Sequence, residues 1–141
     1  MAIIIDATDL IVGRFATIVA KKALLGEKID IVNCQDAVVT GRRDTVYKHF
    51  KRKADIGVPL KGPYFPKTAD RIVRRMIRGM IGWKTAKGRE AFKRIMCHIG
   101  VPDKFENSKL DTIENANIKK LPNLKYVKMK DIAEHLKGSR Q

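Results

Sequence analysis

Residues 2–33 constrain the fold more than any other stretch. Residues 2–6, Ala-Ile-Ile-Ile-Asp, are a short apolar run that ends on a carboxylate and reads as a strand. Thr8 and Asp9 follow as turn or capping residues. Phe15, Ile18, Val19 and Ala23 then recur at helical spacing, with Lys21 and Lys22 in the last turn and Gly26 placed to stop the helix. Residues 29–33 read as a second strand and 37–40 as a third. Strand, helix and strand within about forty residues predict a parallel crossover unit, and therefore an α/β fold.

The second half of the chain is chemically different. Of 141 residues, 30 are Lys or Arg and 15 are Asp or Glu, a net charge of +15. Residues 1–40 carry four basic and five acidic groups, 41–100 carry seventeen and four, and 101–141 carry nine and six. The excess therefore sits in the middle, as a face rather than a diffuse cloud. A surplus of this size and sign points to a polyanionic partner, since self-repulsion without one destabilises the compact state. No apolar stretch approaches the roughly 18 residues of a membrane span, and no signal peptide is visible at the amino terminus. A soluble, cytoplasmic chain forming one domain over 1–141 is expected. Cys34 and Cys97 lie in apolar contexts and are expected to be buried thiols.

Within the basic half, Val46, Tyr47 and Phe50 make one apolar helical face, and Lys48, Lys51 and Arg52 a solvated one. Residues 57–67, GVPLKGPYFPK, hold three prolines and two glycines and predict an irregular loop. Thr68 is placed to cap the next helix. Ile72, Val73, Met76, Ile77 and Met80 form its buried stripe, while Arg71, Arg74, Arg75 and Arg78 form a wholly cationic one. Like charges one turn apart cost an isolated helix about 0.2–0.5 kcal/mol per pair. Such a stripe is expected to meet phosphates, which suit the planar guanidinium fork. The competing explanation is a solvated face balanced by acids from elsewhere in the fold. Replacing Arg74 and Arg78 by Glu is expected to damage binding to such a polyanion and leave the fold largely intact.

Residues 79–85, Gly-Met-Ile-Gly-Trp-Lys-Thr, invite two phosphate motifs and satisfy neither. A nucleotide P-loop needs Gly-Lys-Thr contiguous after a strand, whereas Trp83 interrupts it here and a helix precedes it. The apolar Met80 and Ile81 fit a buried turn better than a Gly-x-x-Gly backbone clamp. Gly79 and Gly82 are expected to permit close packing and end the helix. Thr85 is placed to cap a second helix, with Gly88, Ala91, Phe92, Ile95 and Met96 on its buried side, and Lys84, Lys87 and Arg89 around its start. Trp83 is expected in the core rather than stacked on a base. Farther on, 107–123 reads as a surface excursion, 126–129 as a last strand and 131–136 as a closing helix.

The stretch 74–102, RRMIRGMIGWKTAKGREAFKRIMCHIGVP, resembles the signature region of the universal large-subunit ribosomal protein L-thirteen family, centred on Arg78-Gly79-Met80. IIIDATDLIVGRFATIVAKKAL, with Gly13-Arg14 in place, is similar to the family's first strand and helix. IVNCQDAVVTGRR resembles its next two strands, and KYVKMKDIAEHL the ending of its archaeal branch. The resemblance covers most of the chain; the loop 57–67 and the segment 103–123 fit less clearly. It implies a three-layer α/β fold, a small mainly parallel central sheet of about four strands flanked by helices, with basic loop excursions. It also implies a structural role: binding large-subunit rRNA and neighbouring ribosomal proteins, with the basic part, about 41–94, facing rRNA. Arg78, Lys84, Lys87 and Arg89 carry over as rRNA-facing. Arg42, Arg43, Lys48, Arg52, Arg71, Arg74 and Arg75 join them on charge patterning.

Other classes lack a constellation. The serines, Ser108 and Ser139, lie in polar segments, and His49, His98 and His135 have no metal-ligand spacing with one another or with the cysteines. Adjacent Cys97 and His98 on a strand point to opposite faces, which argues against a thiolate–imidazole pair. Asp6 and Asp9 are explained by turn and cap duty rather than Mg²⁺ binding. No zinc spacing, heptads or base-reading helix suggests a DNA regulator, since an Arg-rich helix positions on phosphates rather than reading bases. No catalytic residue, cofactor, metal or small-molecule substrate is expected.

Overall fold

The computed structural model describes residues 2–138. In chain order its elements are β1 (Ala2–Asp6), α1 (Val12–Leu24), β2 (Lys28–Val32), β3 (Val38–Thr40), α2 (Arg43–Asp55), α3 (Ala69–Ile81), α4 (Ala86–Lys93), β4 (Ile95–Cys97), β5 (Tyr126–Lys128) and α5 (Met129–Gly138). β1 and β2 pair in parallel from Ala2↔Lys28 to Asp6↔Val32, joined by α1 as the crossover. Gly26, at φ 103°, takes the conformation that ends α1, and its N–H donates to the Ala23 carbonyl at 3.1 Å. No side chain caps the start of α1: Ile11 holds that position, and Thr8 and Asp9 stay in the preceding turn.

The central sheet is parallel, in the order β1-β2-β4, and helices flank it. β3 does not join it. It pairs instead with β5, antiparallel, as a separate two-stranded ribbon. The diversion begins at Asn33, whose left-handed φ of 56° leads into a tight turn at Cys34–Asp36. At the entry to that turn the end of β2 is met by the chain after β4. Asn33 N–H donates to Gly100 O (3.1 Å) and Cys34 N–H to His98 O (3.2 Å).

Alternation along the strands sorts the two faces of the sheet. Ile5, Ile29, Ile31 and Ile95 point one way and are buried with Phe15 and Val19 of α1 and Ile72 and Ile77 of α3. Ile4, Asp30 and Met96 point the other way, in register on adjacent strands. Asp30 is only 3% exposed, and its Oδ1 lies 3.0 Å from His98 Nε2. His98 thus turns away from Cys97, which is buried beside Cys34 on the opposite face.

Several local expectations are corrected. Ile95 and Met96 belong to β4, not to α4, because pairing with Ile29 and Asp30 outweighs a helical pattern that nothing in the sequence interrupts. On α3 the buried stripe runs through Ile72, Val73, Ile77 and Ile81, and Met80 is 44% exposed. Thr68 occupies the cap position of α3, but its hydroxyl makes no cap bond and is buried without a partner. Thr85 does cap α4: its Oγ1 accepts from Gly88 N–H at 3.1 Å and donates to Gly82 O at 2.9 Å. Gly82 ends α3 at φ 70°. Gly79 permits no close packing, since a Cβ there would meet nothing within 4 Å; the tight glycine where α3 meets α4 is Gly88.

Residues 57–67 form no regular element and close on themselves through Gly62 N–H to Val58 O, 2.8 Å. The excursion after β4 is pinned along the free edge of β1. Asp6 N–H donates to Asp111 O (2.9 Å), Asp111 N–H to Ile4 O (2.8 Å) and Ile11 N–H to Ala116 O (2.7 Å). α5 packs on α2 and β5, burying Ile132 and Leu136, with His135 stacked on Tyr47 at 4.3 Å. Among the described residues no helix is long and apolar enough to cross a membrane.

Candidate nucleic-acid interface

The arginine stripe of α3 forms one wall of a groove. Arg71, Arg74, Arg75 and Arg78 line it together with the end of the irregular loop (Tyr64, Phe65, Pro66, Lys67), Thr68, and Phe92 of α4, around a volume of about 720 Å³. The apolar face of α3 sits on α1 and the sheet, so the opposite face must look outward. The 3.6-residue repeat then stacks the guanidinium groups along it.

No carboxylate lies within ion-pair distance of Arg71, Arg75 or Arg78 among the described residues. No acid among the described residues therefore forms an ion pair with these three guanidinium groups. Burial, and after it the charge of Arg75, hold the Arg78 guanidinium below its ordinary pKa, the expected sign for a cation crowded by another.

The four arginines are not equivalent. Arg74 is tied into the protein: its guanidinium lies 4.0 Å over the Phe92 ring, and it donates to the carbonyls of Ile95 (3.0 Å) and Phe92 (3.4 Å). Arg78 lies 4.2 Å over Trp83. Trp83 is therefore not core; it is 36% exposed and bears a cation on its face. Arg71 is exposed and Arg75 half-buried, with no hydrogen bond from either side chain to the rest of the described chain.

The other basic residues expected at the interface fall in separate groups. Lys48 and Arg52 line a shallow depression on α2 with Lys51, Asp55 and Ile56. Arg75 also lines a cleft with Lys53 of α2, Ile56, Pro63, Tyr64 and Phe65, which links the α2 surface to the α3 wall. Lys84, Lys87 and Arg89 are exposed around the start of α4 and line none of these depressions. Arg42 and Arg43 stand at the start of α2, where Arg43 Nε donates to the Tyr47 hydroxyl at 3.0 Å. Lys67 and Tyr64 in the groove, and Lys53 in the adjoining cleft, were not singled out from the sequence. An aromatic ring among glycines and prolines was the available signal.

Burial pushes the Asp6 carboxyl up, but hydrogen bonds from the Thr8 hydroxyl, the Asn33 amide and the Thr8 N–H outweigh it and hold the pKa below its ordinary value.

The structure defines a small basic α/β protein whose helix α3 carries an outward cationic wall. The family model for ribosomal protein L13 matches residues 1–104. The large ribosomal subunit protein uL13 of Methanopyrus kandleri is 39% identical over 135 residues, covering 94% of this chain and 85% of that one. Its counterpart in Archaeoglobus fulgidus is 39% identical, with 94% and 86% covered. That of Picrophilus torridus is 45% identical over 119 residues, with 84% and 86% covered. The chain belongs to the ribosomal protein L13 family.

Proposed function

We propose that the chain is a structural constituent of the large ribosomal subunit and that its basic segment, about 41–94, holds and positions large-subunit rRNA. The relatives it matches are large ribosomal subunit proteins. Its task is therefore structural rather than enzymatic, and it is carried out in the cytoplasm, where the subunit works.

The observation that carries the assignment of the rRNA face is the unpaired stripe. Arg71, Arg75 and Arg78 line one groove with no carboxylate within ion-pair distance among the described residues. Each can direct several N–H donors outward to phosphate oxygens. Lys48, Arg52, Lys84, Lys87 and Arg89 extend the cationic surface along α2 and around α4, and Arg42 and Arg43 begin it. Arg74 supports the wall from behind. Rigid placement on two helices holds separate RNA segments at a set spacing, which is what a scaffold within a folded RNA must do. Neighbouring ribosomal proteins take surfaces that the RNA leaves free.

Binding to a large-subunit rRNA fragment tests the assignment. With about six to ten phosphates engaged, affinity falls by roughly 10³–10⁵ between about 50 and 200 mM salt. Arg71→Glu with Arg75→Glu weakens binding and flattens the salt slope, and the variant no longer sediments with large subunits at moderate salt. Salt-independent binding, or an unchanged slope in the double variant, places the RNA on another face.

A further inference from the structure

The groove beside α3 contains one feature that phosphate binding does not use. Tyr64 is 67% exposed, while the other rings there are already engaged. Phe92 is covered by the Arg74 guanidinium, and half-buried Phe65 packs near Phe50 with ring centres 6.4 Å apart.

Tyr64 is also held in place. Its hydroxyl donates to the Pro59 carbonyl at 2.8 Å. Gly62 sits beneath the ring at φ 69°, where an added Cβ would come within 3.1 Å of it. Gly57 crosses the same turn so closely that a Cβ would lie 2.3 Å from the Gly62 carbonyl oxygen. The loop therefore fixes an aromatic plate at the groove's mouth with little conformational freedom left to lose, which favours binding through preorganisation.

We propose that this groove receives one unpaired nucleotide of RNA, its base stacked on Tyr64 and its flanking phosphates on Arg71 and Arg75. The volume, about 720 Å³, lies within the range of small-molecule pockets, roughly 300–1,000 Å³. A base inside an A-form helix shows no free face to a side chain, so only a splayed nucleotide meets the ring. Stacking needs no particular base, so the site selects unpaired structure more than sequence. A protein neighbour is the less favoured occupant: the wall is cationic and mostly arginine, and an extended RNA strand supplies a phosphate at every step.

The inference rests on the rRNA reading of the same wall, and the two can fail separately. The probe is a single-stranded oligoribonucleotide of about ten nucleotides carrying one 2-aminopurine, used alone and annealed to its complement. The full chain is compared with Tyr64→Phe and Tyr64→Leu, both of which lose the hydroxyl, so their difference reports the ring. The expected result is 2-aminopurine quenching and tighter binding of the single strand by the parent and by Tyr64→Phe. Tyr64→Leu should bind about ten-fold more weakly with the salt slope unchanged. Equal binding by Tyr64→Leu and Tyr64→Phe, or no preference over duplex, overturns the nucleotide site while leaving the phosphate wall standing. Absence of any salt-dependent binding by the parent overturns both.

Discussion

The Arg74 guanidinium carbon lies 4.0 Å above the centre of the Phe92 ring, and Arg74 Nε donates to the Ile95 carbonyl at the start of β4. One residue of a stripe that looks uniformly cationic in the sequence therefore fastens α3 to α4 and the central sheet. Arg74→Ala should lower stability by about 2 kcal/mol, through charge-assisted bonds to two carbonyls and the lost ring contact. Arg71→Ala should change it by less than about 0.5 kcal/mol. Urea melts of both variants check this, and equal losses would mean that Arg74 is not a brace.

His49 on α2 reports whether RNA reaches that helix. Burial first, then the charges of Lys53 and Arg52, hold its imidazole below the ordinary 6.5. Between the lowered folded value and 6.5 the unfolded chain binds more proton, so stability should rise with pH through that window. Phosphates docked beside Arg52 neutralise part of the local charge, so the His49 pKa should rise on adding an rRNA fragment. Proton NMR titration of the imidazole reads this directly; a pKa that stays put with RNA bound removes α2 from the interface.

The two glycines near the hinge of α3 and α4 should respond in opposite directions. A Cβ on Gly88 would lie 2.1 Å from the Gly82 carbonyl oxygen, and backbone cannot yield cheaply there. Gly88→Ala should therefore cost about 1–3 kcal/mol. Gly79 has open space over it within a helix, so Gly79→Ala should stabilise the free protein by about 0.5–1 kcal/mol. Thermal melts separate the two signs. Nothing within the described chain explains why residue 79 is a glycine.

Cys97 should be unreactive in the folded protein. Its hydrogen bond with Cys34, then its burial, hold the thiol well above the ordinary pKa, so little nucleophilic thiolate forms near neutrality. Iodoacetamide at pH 8 should label Cys34 and Cys97 only after denaturant is added. Rapid labelling under native conditions would show that this part of the core opens.

Asp6 ties acid stability to the turn after β1. Its carboxylate is favoured in the folded state, so its contribution is present above the ordinary 3.8 and is lost as pH falls through the lower folded value. Asp6→Asn should flatten the stability profile in that acid range. An unchanged profile would assign the acid sensitivity to other carboxylates.

Much of this was legible in the residues themselves. The crossover of β1, α1 and β2 follows from apolar periodicities of two and 3.6, because each element must bury one face. The stops at Gly26 and Gly82 follow from a backbone conformation that glycine adopts without strain. The location of the charge, and with it the arginine wall, is a matter of counting. What the chain could not reveal depended on partners distant in sequence. Residues 95–97 became a strand because Ile29–Ile31 offered an open edge, and the turn at 34–36 sent Val38 to Tyr126–Lys128 instead of the central sheet. Packing likewise decided which arginines are free: Arg74 met Phe92 and two carbonyls, whereas Arg71 met none among the described residues. Periodicity is local and travels with the sequence; pairing and hydrogen-bond satisfaction are settled only when remote segments arrive at the same place.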